Sequence, residues 1–60
     1  MFIRLTRLEN GEVVLVNISH IYEIVTMAGL SGCELIFPHD KIVVQESLEI
    51  VEKMIIESSY

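Results

Sequence analysis

The stretch that decides the fold is KIVVQESLEIVEKMII, residues 41–56. It opens with three successive β-branched residues, 42–44, which are typical of a strand. Ser47 then occupies the position of a helix N-cap, because its hydroxyl can accept a hydrogen bond from a free backbone N–H of the first turn. From Leu48 onward the apolar residues recur at helical spacing and form one broad face. The stretch therefore predicts a strand that passes directly into an amphipathic helix, and this helix needs a sheet to lie on.

The segment before the helix carries the patterns of that sheet. Apolar and polar residues alternate along several short runs, as they do in half-buried strands. Asn10-Gly11 is a strong hairpin signal, because both residues tolerate the positive φ angles of a type I′ turn. Pro38 ends a strand, since proline fixes φ and has no N–H to donate. We therefore predict strands at residues 2–8, 12–16, 21–27, 33–37 and 41–45, and a helix at residues 47–58.

The connections between these elements are short, which predicts an antiparallel meander. Residues 17–20 break the strand pattern, and the side chains of Asn17 and Ser19 can bond nearby backbone, so a turn or a single 3₁₀ turn is predicted there. The predicted fold is mainly β with one C-terminal α-helix, in the order β-β-β-β-β-α. The helix is expected to pack on one face of a small antiparallel sheet. A chain of 60 residues has room for a single small domain, residues 1–60.

Composition narrows the classes of function. Hydrophobic residues make up 52% of the chain, more than one small core needs, which favours a surface covered by another subunit. The net charge of −5 disfavours binding to nucleic acid or to anionic membranes. The apolar runs are too short to span a membrane. The single cysteine, Cys33, cannot form an internal disulfide, and the N-terminus lacks the apolar region of a secretory signal; together they predict a cytoplasmic protein.

Residues capable of catalysis or metal binding are few and scattered. His20 and His39 lie on separate predicted turns, without a second cysteine or histidine at metal-ligand spacing. Cys33 lies on the apolar face of a predicted strand, where it behaves as a small hydrophobe. His20 and Glu23 could form an acid–base pair if their turn is helical, but a pair alone does not make a site. We predict no catalytic residues, no metal site and no cofactor, and hence no enzyme.

The apolar surface is the feature that predicts a function. The second strand is apolar on both faces, so one of them stays uncovered in a small monomer. We place Val13 and Leu15 against the helix, which leaves Val14 and Val16 on the outer side, unless the sheet curls enough to bury both faces itself. Exposed side chains of this kind favour self-association, and a two-fold dimer is the simplest arrangement. The predicted self-association surface consists of Phe2, Val14, Val16, Val43 and Ile56.

Short motifs along the chain add a resemblance. They are IRLTRL (3–8), NG (10–11), LVN (15–17), Ile21, EI (23–24) and VVQESLEIVEK (43–53). Through these motifs the chain resembles the FlbD-type family of small flagellar and swarming-motility proteins over nearly its full length. The resemblance implies a cytoplasmic accessory factor of flagellar function, which acts through contacts with a protein partner and has no known catalysis.

A smaller set of positions points to a different class. They are LTR (5–7), GE (11–12), Pro38 and VV (43–44). These positions are similar to those of CsrA-type translational regulators, and the similarity implies an alternative function, the post-transcriptional binding of RNA by an intertwined dimer. Where that family has basic residues before the helix, this chain has Gln45-Glu46, and its acidic balance opposes phosphate binding. A protein is therefore the preferred partner, and RNA the alternative.

Overall fold

A computed structural model describes residues 1–58 and contains the predicted elements in the predicted order. The prediction of a mainly β fold with one C-terminal helix is confirmed. The elements are β1 (Phe2–Thr6), β2 (Val13–Asn17), a 3₁₀ turn (Ile18–His20), β3 (Glu23–Thr26), β4 (Cys33–Ile36), β5 (Lys41–Val44) and α1 (Leu48–Ser58). The predicted single domain, residues 1–60, includes two residues, 59 and 60, that lie outside the described part.

The strands form two antiparallel sheets rather than the single sheet predicted from the sequence. β1 and β2 form a hairpin, and β3, β4 and β5 form a three-stranded meander. Two backbone hydrogen bonds connect the sheets: Leu8 N donates to Val43 O at 3.0 Å, and Gln45 N donates to Thr6 O at 2.8 Å. The end of β1 therefore runs antiparallel beside the end of β5, and no other strand pairing joins the two sheets within residues 1–58.

The 3₁₀ turn after β2 explains why the meander is divided. Asn17 Oδ1 accepts a hydrogen bond from Ser19 N at 3.0 Å, which caps the turn. Ile21 N then donates to Ile18 O at 3.3 Å at the end of the turn. The chain leaves β2 in a new direction, so β3 pairs with β4 and not with β2.

The β1–β2 connection is a four-residue loop, residues 8–11, and not the two-residue type I′ turn expected at Asn10-Gly11. Arg7 N donates to Glu12 O at 2.8 Å, and Gly11 N donates to Arg7 O at 3.0 Å. Gly11 has a positive φ of 72°, but Asn10 does not, whereas a type I′ turn requires a positive φ at both central residues. The Asn10 side chain instead accepts a hydrogen bond from Glu12 N at 2.9 Å. The hairpin itself was correctly predicted.

A single hydrophobic core draws on four strands and the helix. Ile3 on β1 and Val16 on β2 are almost fully buried and extend the core into the hairpin. The largest fully buried side chains of residues 1–58 are those of Leu5, Leu35, Val44, Val51 and Cys33. Val51 is the buried residue of α1, and the helix contacts β1 and β3. Burial of each large aliphatic side chain contributes about 1.5–3 kcal/mol, which matters in so small a domain.

Gly32 allows the backbone before β4 to approach β5 closely. It is buried directly before β4, and a Cβ atom at this position would overlap the carbonyl oxygen of Val44 on β5. Only glycine fits such a close backbone approach. The approach lies beside the Cys33–Val44 pair, which sets the register of β4 against β5 in the middle of the core.

A polar junction, formed by Thr6, Gln45 and Glu46, fixes the hairpin to the segment that begins the helix. Glu46 Oε1 accepts a hydrogen bond from Thr6 N at 3.0 Å, and Glu46 Oε2 accepts one from Thr6 Oγ1 at 2.9 Å. Gln45 Nε2 donates to Arg7 O at 3.3 Å. Cys33 Sγ donates to Glu46 O at 3.4 Å, which links the junction to the core. One carboxylate therefore satisfies two donors of the same residue.

Replacement of Glu46 by alanine is predicted to lower the free energy of unfolding by about 1–3 kcal/mol, because the half-buried N–H of Thr6 loses its acceptor. Urea unfolding followed by circular dichroism measures the loss. Glu49→Ala is the matched control, since Glu49 is an exposed carboxylate in the first turn of α1, and its removal should cost less than about 1 kcal/mol. Equal losses in the two variants would contradict the proposed role of the junction.

Ser47→Ala is predicted to lower the free energy of unfolding by about 1 kcal/mol. Ser47 directly precedes α1, and its Oγ accepts a hydrogen bond from Ile50 N at 3.3 Å, as an N-cap does. Ser47→Asp should retain most of the stability, because an aspartate also caps and favours the positive end of the helix dipole. A Ser47→Ala variant as stable as the wild type in urea would show that this hydrogen bond contributes nothing.

Candidate self-association surface

The β1–β2 hairpin has an inner face that belongs to the core. Ile3 lies opposite Val16, and Leu5 lies opposite Val14. Partners across an antiparallel pair place their side chains on the same face of the sheet. Val16 is buried, and Val14 is half-buried against the core. The inner face of β2 is therefore unavailable as a free surface of the monomer.

The assignment of Val14 and Val16 to the outer surface was wrong, and so was the assignment of Val13 and Leu15 to the helix-facing side. The register of the hairpin is the reason. Residues of β1 with odd numbers lie opposite residues of β2 with even numbers, because the loop between the strands has an even number of residues. Since the odd-numbered residues of β1 face the core, the even-numbered residues of β2 must face it too.

The outer face of the hairpin carries three exposed apolar side chains. Phe2, Val13 and Leu15 are exposed by 59%, 57% and 65%, and we call these three residues the outer patch. Arg4 lies opposite Leu15 on the same face, near the centre of the patch. Phe2 is thus exposed as predicted. The exposure of Val13 and Leu15 was not predicted, although it follows from the register that the hairpin signal at Asn10-Gly11 implies.

The other two residues predicted for the surface lie on other elements. Val43 is half-buried on β5 and lines an open groove of about 370 Å³ together with Leu8 and Lys41. Ile56 on α1 is 49% exposed and lines a groove of about 290 Å³ with Ile24 of β3. The structure does not bring either of them into the outer patch, and their part in self-association stays a prediction.

One edge of β2 is open. Within residues 1–58, β2 pairs with β1 and with no other strand. A groove of about 390 Å³ lies beside this edge, and His20, Phe37, Asp40 and Ile42 line it from outside the hairpin. Phe37 and Ile42 are half-buried. An open edge presents unpaired N–H and C=O groups, which are a template for pairing with another chain.

The side chains capable of acid–base, nucleophilic or metal-binding chemistry lie apart in the fold. His20 is exposed at the end of the 3₁₀ turn, and His39 is exposed in the β4–β5 turn. Cys33 is buried; burial raises the pKa of its thiol above the ordinary value of 9.0, and the charges of Glu46 and Glu49 raise it further. The thiol is therefore protonated at neutral pH. The described residues hold no group of three or more His, Cys, Asp or Glu that could bind a metal ion.

Basic side chains are few, and half of them are paired with carboxylates. All four lie within residues 1–58. Arg7 Nε lies 3.2 Å from Glu12 Oε1, and Lys41 Nζ lies 3.5 Å from Glu34 Oε2. The other two basic residues lie on different elements, β1 and α1. Phosphate binding depends on clustered Lys and Arg, and this distribution is unfavourable for it.

Comparisons of the chain with protein-family models, curated proteins and solved structures gave no match. The site is therefore interpreted from its own geometry: an exposed apolar patch beside an open strand edge on the β1–β2 hairpin. Among the elements of residues 1–58, no helix has the length and apolar character needed to cross a membrane.

Ionisation of Cys33 is predicted to lower the free energy of unfolding at alkaline pH. Its pKa is raised in the folded state, so the unfolded thiol ionises first as the pH rises past about 9. The stabilising contribution is fully present below that pH and is lost as the pH approaches the folded-state pKa. Urea unfolding of the wild type and Cys33→Ala between pH 7 and pH 10.5 measures it. The wild type should lose more stability over this range, and equal losses would contradict the raised pKa.

Proposed function

We propose that this protein is a non-catalytic protein-interaction module that forms a two-fold homodimer through its β1–β2 hairpin. The observation that carries the proposal is the outer patch of Phe2, Val13 and Leu15, where three neighbouring apolar side chains are each more than half exposed. The patch lies on two adjacent strands of one sheet, so a flat partner surface can cover all of it. Patches of this kind mark sites of protein association.

The free energies of side-chain burial and of association indicate how strong this dimer is. Full burial of a Val, Leu or Phe side chain is worth about 1.5–3 kcal/mol, so covering the exposed parts of both patches in a dimer is worth roughly 5–11 kcal/mol. Association costs about 4–15 kcal/mol in lost translational and rotational freedom. The patch alone is therefore close to balance. A dimer stable at micromolar concentration needs a further contribution, and the open edge of β2 beside the patch can supply hydrogen bonds.

The biological setting of the proposal comes from the resemblance to FlbD-type proteins. We place the module in the cytoplasm, as an accessory factor of flagellar or swarming motility that acts through protein contacts. The buried Cys33, held protonated, is compatible with a reducing compartment. In this setting the dimer is the unit that presents the rest of the surface, including the grooves beside Val43 and Ile56, to a protein partner.

RNA binding, the alternative function, receives no support from the distribution of charge. Two of the four basic residues are neutralised by Glu12 and Glu34. Glu46 also occupies the position before the helix where the RNA-binding family has basic residues. A mobility-shift assay with mixed RNA at low salt separates the two functions. Binding that weakens steeply with added salt would favour the alternative and contradict the proposal.

Leu15→Glu is predicted to convert a dimer into a monomer, because it replaces the most exposed side chain of the outer patch by a carboxylate that association would bury in each copy. Light scattering after size exclusion, at 10–200 μM protein, gives the molecular weight. Leu30→Glu is the matched control: Leu30 is 51% exposed, lies in the β3–β4 loop and should leave the dimer unchanged. Circular dichroism and urea unfolding establish that both variants fold.

Three outcomes would contradict the proposal: a wild-type monomer throughout the concentration range, a folded Leu15→Glu variant that remains a dimer, or a Leu30→Glu variant that dissociates as readily. The same pair of variants tests the setting. If the protein serves motility as a dimer, Leu15→Glu should fail to restore swarming to a deletion strain that Leu30→Glu restores. Equal restoration by the two variants would remove the link between dimer and motility.

A further inference from the structure

The hydrogen-bond ladder of the hairpin determines which main-chain groups of β2 are free. The bonds to β1 at its two ends involve Glu12 O and Ile18 N, both of which belong to even-numbered residues. Hydrogen-bonded positions in an antiparallel ladder recur at every second residue, so the even-numbered residues of β2 bond to β1. The N–H and C=O groups of Val13, Leu15 and Asn17 therefore point to the open edge.

A second copy of β2 matches these free groups one for one. Under a two-fold axis that passes beside Leu15, the second strand lies antiparallel, and Leu15 faces Leu15 of the second copy. Val13 then faces Asn17 of the second copy. Free groups meet free groups at every one of these pairs, because all three residues occupy odd positions.

β2 also lacks the features that keep edge strands apart. Charged side chains, proline and bulges protect most natural edges from pairing. The strand Val13–Asn17 contains no charged residue and no proline, whereas β3 and β5, the two edges of the other sheet, begin with Glu23 and Lys41. In the two-fold arrangement Glu12 approaches Ile18 of the second copy and meets no like charge, so the pairing is electrostatically permitted even though each chain carries a charge of −5.

The inner side of the arrangement is occupied by the core of each copy. Strands that extend one sheet keep their inner side chains on the same side. Val16 of each copy stays buried in its own core, and the groove beside β2, which is lined from outside the hairpin by His20, Phe37, Asp40 and Ile42, lies next to the second strand. The outer side brings the two outer patches together, with the two Leu15 side chains adjacent at the centre and Arg4 of each copy beside them.

From these observations we infer that the occupant of the open β2 edge is a second copy of this chain, paired antiparallel through residues 13–17 with Leu15 opposite Leu15. The inference rests on the proposed dimer and deepens it by naming the strand and the register. The product is a continuous four-stranded sheet in the order β1-β2-β2-β1, which crosses the two-fold axis without a break.

Cysteine cross-linking tests the register. Two Leu15→Cys chains would have their Cα atoms about 5.5 Å apart, within the range of about 4.4–6.8 Å that a disulfide bridges. Val13→Cys is the matched control, with similar exposure on the same face, but its two copies would lie about 14 Å apart, four residues along the strand. With oxidised glutathione as the oxidant, Leu15→Cys should form covalent dimers at least about tenfold faster than Val13→Cys.

A mixture of two variants provides the complementary arm. Val13→Cys and Asn17→Cys should each cross-link slowly alone and rapidly together, because residue 13 of one copy faces residue 17 of the other. The native Cys33 is fully buried and should remain unreacted in every variant. The wild type, whose only cysteine is Cys33, is the control and should form no covalent dimer. Thiols are blocked with iodoacetamide before denaturation, and covalent dimers are counted on non-reducing gels.

Hydrogen exchange of the wild type gives a readout that needs no cysteine. The amides of Val13 and Leu15 should exchange more slowly as the protein concentration rises through the dimerisation range. A wild-type dimer in which these amides stay unprotected, or in which the two single-cysteine variants cross-link at equal rates, would overturn the register and leave the proposed dimer standing. A wild-type monomer would overturn both, and protection that appears only on addition of another protein would assign the edge to that protein instead.

Discussion

The hydrogen bonds between the end of β1 and residues 45 and 46 are the interaction on which the rest of the structure depends. Thr6 uses its N–H, its hydroxyl and its C=O in this junction, and Gln45 and Glu46 supply the partners. Among the described residues, the bridge between Arg7 and Val44 at this point is the only strand pairing that joins the two sheets. The junction therefore sets where the hairpin lies over the core and where the helix begins.

Fixing one end of the hairpin leaves its other strand at the margin of the molecule. β1 is held between β2 and the junction, and it contacts the helix, so its odd-numbered residues fill the core. β2 has β1 on one side and a groove on the other. Three exposed apolar side chains, Phe2, Val13 and Leu15, thereby lie on the outer face of the hairpin, which no other element of residues 1–58 covers.

Much of the fold could be predicted from the sequence because its signals are local. The β-branched run before Ser47, the cap at Ser47 and the helical spacing after it each depend on neighbours only a few residues away. The hairpin at Asn10-Gly11 was predicted, but its faces were assigned the wrong way round. A two-residue turn there gives the same odd-to-even pairing as the observed four-residue loop, so a stricter use of the register would have placed Val13 and Leu15 outside.

The sequence by itself determined the five strands, their antiparallel sense and the helix. Only the tertiary structure decided that the strands divide into two sheets, that Glu46 bonds to Thr6 forty residues away and that β2 keeps an open edge. The reason is physical. Periodicity and capping act within a few residues of the chain, whereas the division of the sheet depends on how a 3₁₀ turn redirects the backbone and on which distant groups then meet.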